Sequence, residues 1–181
     1  MGLFGRRSKK DASAARRTDA APPTTAFPRL SAMGAPVWSG RDLFLPHPPT
    51  PEFASQLAQE FADSIVVAEI PVPGLHALDF SVESVRTIDV ILGELEPIGT
   101  DDPAEVVMLA GFYVGEVLVR GYGYEWIDAP ADLAPHFGFR VAVRGPRGAI
   151  ANALGRAFKR VENGEEDGVA FFVEGEIAGG V

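Results

Sequence analysis

In the stretch "AGFYVGEVLVRGYGYEW", residues 110–126, one carboxylate, Glu116, stands inside an apolar run and is followed by Arg120, Tyr122, Tyr124 and Trp126. A carboxyl group taken out of water either becomes a general acid or base of raised pKa or finds partners that hold its charge. Arg120 supplies a partner locally: it lies four residues on, on the same helical face and in the favoured acid-before-base order. Glu116 and Arg120 are therefore read as a structural charge pair, with acid–base chemistry as the alternative. Gly111 and Gly115 are also four apart and clear a groove along that face, so they are read as helix-packing glycines. The three aromatics read as the wall where the helix turns into a sheet. A stacking platform for RNA would want basic neighbours, and here they are Glu125 and Asp128.

The second candidate is the loop "RGPRG", residues 144–148. Read as a strand-to-helix connection, it offers helix N-terminal amides and the charges of Arg144 and Arg147 to an anion, with Gly148 allowing close approach. Six basic residues and no acidic one fall between Arg140 and Val161. The Walker spacing and its lysine are missing. Because residues 79–132 hold twelve Asp/Glu against two Arg, the basic segment can be neutralised within the fold. Anion or nucleotide binding by Arg144, Arg147 and Gly148 is kept as the alternative.

Other chemistry finds little support. His47, His76 and His136 lack zinc-ligand spacing, and with no cysteine in the chain there is neither thiolate ligand nor cysteine nucleophile. No G-x-S-x-G elbow occurs, and Ser81 reads as a helix cap. The expectation is a non-enzyme with no catalytic residue, no metal and no cofactor.

These residues must be positioned by a chain of 181 residues, 46% hydrophobic, enough for one domain with a real core. Its formal charge of −9 averages two regions: +4 over residues 1–20 and −13 over the remainder. The acidic remainder argues against nucleic acid as a partner. "MGLFGRRSKKDASAARR" has no apolar h-region, and Arg6 stands where myristoylation needs Ser or Thr, so the expected location is the cytoplasm. The longest apolar run, 106–119, spans 14 residues, too short to cross a bilayer. Seven of fifteen prolines fall in the first 50 residues, which marks 1–46 as a basic, proline-rich, largely disordered leader and 47–181 as the compact domain. Within the leader, "VWSGRDLFL" reads as an arm lying on its own domain or on a partner. Residues 1–20, with Leu3 and Phe4 beside four basic side chains, raise the alternative of weak contact with an anionic membrane.

Element signals follow. Thr50–Pro51 opens a helix with Phe53, Leu57, Phe61 and Ile65 on one face. Ser81 opens another with Val85, Ile88, Leu92 and Leu95. Asp102, Pro103 and Glu105 open a central helix to Arg120. "YEWI" (124–127) and "FGFRVAVRG" (137–145) read as strands, the second alternating Phe137, Phe139, Val141 and Val143 inward. A fourth helix aligns Ile150, Leu154, Phe158 and Val161 and ends at "NG". Residues 165–178 are read as a last helix capped by Asp167, with a strand as the alternative. The sum is an α+β domain: four or five helices around a small antiparallel sheet, behind an extended leader.

The succession "SVESV" (81–85), "GFYVGEV" (111–117), a Trp shortly after and "NGEED" (163–167) resembles a group of uncharacterised actinobacterial proteins. That resemblance, over about residues 75–175, implies a compact cytosolic domain of unknown function and no catalytic residues. An acidic, non-enzymatic domain that presents a surface to a protein partner, in an adaptor or immunity-type role, is the expected function.

Overall fold

The computed structural model describes residues 45–65, 75–95 and 104–180, together with the backbone of Val37–Trp38 and Arg41–Asp42. The first two strands, β1 (Val37–Trp38) and β2 (Arg41–Asp42), pair antiparallel. Helix α1 (Pro51–Ser64) begins at the proline, whose fixed φ suits a first helical turn, although the Thr50 side chain makes no capping bond. Helix α2 (Val82–Gly93) is capped as the sequence signals: Ser81 Oγ accepts the Ser84 amide at 3.2 Å.

Helix α3 (Ala104–Tyr122) is the axis of the molecule, buried from Ala110 through Leu118 without a break. A helix apolar all round has to be enclosed, and α1, α2, α5 and α6 pack about this one. Beyond it come β3 (Glu125–Asp128), a single helical turn α4 (Ala134–Phe137), β4 (Val141–Arg144), β5 (Ile150–Ala151), α5 (Ala153–Asn163), a 3-10 turn at Glu165–Asp167 and α6 (Val169–Gly180). The sheet is antiparallel in the order β3-β4-β5, with Asp128 opposite Val141 and Val143 opposite Ala151. The expected α+β class is thus what is found, with six helices among the described residues.

Several local readings differ. Phe137 sits in α4, and the strand opens only at Val141, because Pro135 starts a helical turn that Gly138 closes in the left-handed region at φ 73°. Ala142 is buried along with Val141 and Val143, so β4 has no wet face there. Ile150 belongs to β5. The fourth long helix, α5, starts behind Asn152, whose Oδ1 accepts the Gly155 amide at 2.8 Å. Residues 165–178 are mainly helix, as expected, but Asp167 does not cap α6. It bonds Arg156 and Asn163, and the cap comes from Asp89.

Leu45, placed with the leader on the sequence, is 1% exposed in the core. The chain behind it is fixed to α1 by His47, which stacks on Phe53 at 5.3 Å and places Nε2 2.9 Å from Glu60 Oε1. Apart from Pro46 and the backbone of β1 and β2, the remaining leader residues lie outside the described residues, as do Asp102 and Pro103 of the expected capping box.

Candidate functional site

Glu116 is 3% exposed, and both of its carboxylate oxygens are occupied. Arg120 Nε donates to Oε1 at 2.8 Å, one helical turn on. Ser55 Oγ from α1 donates to Oε2 at 2.8 Å, and Trp126 Nε1 from β3 donates to the same oxygen at 2.9 Å. One side chain therefore joins three elements. Arg120 continues outward, giving Nη2 to Gln59 Oε1 at 3.1 Å and laying its guanidinium 3.6 Å over the Phe80 ring. Among the described residues no second carboxylate and no histidine is a partner of Glu116, so these residues do not form the paired titratable groups that acid–base chemistry uses.

The helix-packing glycines have separate jobs. A Cβ at Gly115 would lie 2.2 Å from Trp126 Cη2, so its absence is what lets the indole lie against α3 and reach Glu116. A Cβ at Gly111 would meet the Leu154 backbone at 2.8 Å, so this glycine sets the approach of α5. Tyr122 and Tyr124 line the same turn into the sheet. Tyr124 is buried and donates to the Glu176 carbonyl at 3.0 Å, and burial first, then the Glu176 carboxylate, hold its phenol above the usual pKa.

Beneath Arg120 lies a relay that fixes Phe80. The Phe80 amide donates to Tyr113 Oη at 2.9 Å, Tyr113 and Ser84 Oγ are 2.6 Å apart, and Ser84 Oγ donates to the Ser81 carbonyl at 2.6 Å. Phe80 has φ 62°, a region unfavourable for a bulky residue. Its ring is clamped between Tyr113, stacked at 4.6 Å, and Arg120. Burial raises the Tyr113 phenol, the hydrogen bond with Ser84 opposing it.

The loop 144–148 closes the hairpin between β4 and β5, and does not lead directly into a helix. Gly145 N–H bonds the Ala149 carbonyl at 2.8 Å, and Gly148 takes φ 85°, as the turn requires. The α5 amides lie beyond β5 and are engaged by Asn152. Arg144 Nη2 pairs with Glu125 at 2.7 Å across the strands, and Arg147 is close enough to Tyr124 to offset part of its raised pKa. The structure thus brings Arg144, Arg147 and Gly148 together on one hairpin and separates them from the helix start.

A second carboxylate, which the sequence did not single out, joins three other segments. Asp89 of α2 accepts Arg160 Nε and the Val169 amide on Oδ1 at 3.0 and 2.9 Å, and the Ala170 amide on Oδ2 at 2.8 Å. It neutralises α5 and caps α6 at once, placing an anion where the helix dipole is positive. Beside it opens a cleft of about 270 Å³ lined by Asp89, Val90, Arg160, Glu165 and Gly168. Val90, which lines it, is 47% exposed, and on α6 Phe171, 75% exposed, follows Ala170, whose amide is bonded to Asp89.

Among the described residues, no cluster of His, Asp and Glu is placed to hold a metal, and no helix is long and apolar enough to cross a membrane. Compared with family models, with curated proteins and with solved structures, the chain matches none. What defines it is its class: an α+β domain of helices wrapped round α3 and a three-stranded antiparallel sheet.

Proposed function

We propose that this is a non-enzymatic, cytoplasmic protein-interaction domain, of adaptor or immunity type, and that its partner binds the face formed by α2 and α6. The observation behind this reading is Phe171, three-quarters exposed at 75% on a helix otherwise docked through Val169 and Val173. A large aromatic left in water on the helix that Asp89 caps is the kind of anchor around which interfaces form. Among the described residues the most deeply buried carboxylate, Glu116, is occupied by structural donors, which favours binding over catalysis as the use of the molecule.

The test compares the tagged full chain with Phe171→Ser in extracts of its own cell, both proteins first shown to melt alike. A protein retained by the parent in stoichiometric amount and lost with the variant supports the reading. Equal retention by both, or none by the parent, contradicts it.

A further inference from the structure

The α2–α6 face combines two properties. It is apolar: among the described residues the exposed large hydrophobics are Val90, Val106 and Phe171, and two of these three lie here. It is also acidic. The outward stripe of α2 runs Glu83, Arg86, Val90, Glu94, and Glu174 follows Phe171 on the exposed side of α6. Glu165 lines the adjoining cleft with Val90. Against these four carboxylates stands Arg86, 3.6 Å from Glu174 with both side chains more than half exposed, a pairing worth little in water. Arg160, the other cation at the cleft, is committed to Asp89.

A fitting occupant must be short and basic with an apolar end. The chain has one such segment: residues 3–10, "LFGRRSKK", place Leu3 and Phe4 next to Arg6, Arg7, Lys9 and Lys10 with no carboxylate among them. We infer that residues 3–10 dock in cis on the α2–α6 face, Leu3 and Phe4 against Val90 and Phe171 and the four cations against Glu83, Glu94, Glu165 and Glu174. The reach is ample. About 35 residues separate Lys10 from buried Leu45, and at roughly 3.3 Å per residue these extend far beyond a domain about 40 Å across. Tethering keeps the segment at high effective concentration, so weak contacts suffice, and lengthening the loop costs little extra entropy.

The inference shares its surface with the proposed function and adds a regulation to it: the leader covers the face at rest, and a partner must displace it. Occupancy by the leader lowers the apparent affinity for that partner by the fraction of chains left open.

The test uses the full chain with a photo-crosslinking phenylalanine analogue at position 4, mixed with an isotopically heavy unmodified chain. Light-only links from position 4 to residues 83–94 and 165–175 are the expected result. Their yield should fall about fivefold in E94K/E174K, which has to melt like the parent, because exposed ion pairs contribute only modestly each. Added salt of about 0.5 M should lower it similarly. Links confined to other surfaces, links between light and heavy chains only, no links, or a yield indifferent to both charge and salt overturn the inference. Partner capture lost with Phe171→Ser but without cis links sinks the docking alone. Cis links without such capture sink the partner reading alone.

Discussion

Glu116 and Asp89 are both carboxylates that accept an arginine Nε, at 2.8 and 3.0 Å, and both tie together elements far apart in the chain. They differ in what surrounds them. Glu116 is enclosed on α3, and its donors are side chains from α1, α3 and β3. Asp89 is partly open to solvent, and two of its donors are backbone amides that begin α6. In the first case the fold has to provide for a charge inside its core; in the second, a charge at the surface organises a helix end and, with it, the apolar face beside Val90 and Phe171. Burial makes the same chemical group a stringent requirement in one place and a local fastening in the other.

The contrast should appear as a gradient of unfolding free energies. Arg120→Met keeps much of the apolar stem but leaves Glu116 facing Ser55 and Trp126 without its cation, and a buried carboxylate stripped of its half-exposed counter-ion in this way costs about 3 kcal/mol. Urea denaturation measures it; a loss below that of the surface site would remove the distinction. Asp89→Ala gives up the α6 cap and the partner of Arg160, for about 2 kcal/mol. Hydrogen exchange should show that loss concentrated at Val169 and Ala170, whereas Arg120→Met should loosen α1 and β3.

Tyr113→Phe sharpens the comparison by acting on the support of the Glu116 cluster. It cuts the relay from Phe80 to Ser84 and should cost about 1 kcal/mol near neutral pH. The variant also changes the alkaline limb. Burial raises the folded-state pKa of Tyr113, so the unfolded chain releases this proton first. The stabilisation is complete below the unfolded value of about 10 and is lost as the pH climbs through the folded one. Parent stability should therefore fall above that pH more steeply than that of Tyr113→Phe. Tyr124, shifted in the same direction, leaves part of the slope in place. Identical slopes would contradict the role of Tyr113.

Where the signals were local, the chain could be read. Periodicity located α1, α2, α3 and the body of α5, Pro51 and the Ser81 cap marked the starts of α1 and α2, and the spacing of Glu116 and Arg120 located their ion pair, because residues four apart on a helix meet whatever the rest of the chain does. Ser55 lies 61 residues from Glu116, and the partners of Asp89 lie 71, 80 and 81 residues beyond it, so nothing in the spacing announced either set. The two residues of β5 are too few to leave an alternating pattern, which made loop 144–148 look like the start of a helix. Pro135 and Gly138 did signal α4, and the apolar alternation around them obscured it. On α6, "VAFFVEGEIAGG" has two glutamates but no distinct apolar stripe, and such a helix does not reveal which phenylalanine will face water.

Most direct is the urea unfolding of Glu116→Gln, a change that keeps the side-chain volume and removes the charge. If Glu116 serves the fold, the new amide NH2 sets a donor against a donor, whether Arg120 Nε on one side or Ser55 Oγ and Trp126 Nε1 on the other, and the variant is less stable than the parent by about 2 kcal/mol, with an unchanged denaturant slope. A variant as stable as the parent, or more stable, would contradict this, because a carboxylate kept for chemistry at the expense of stability is one whose removal relieves the fold.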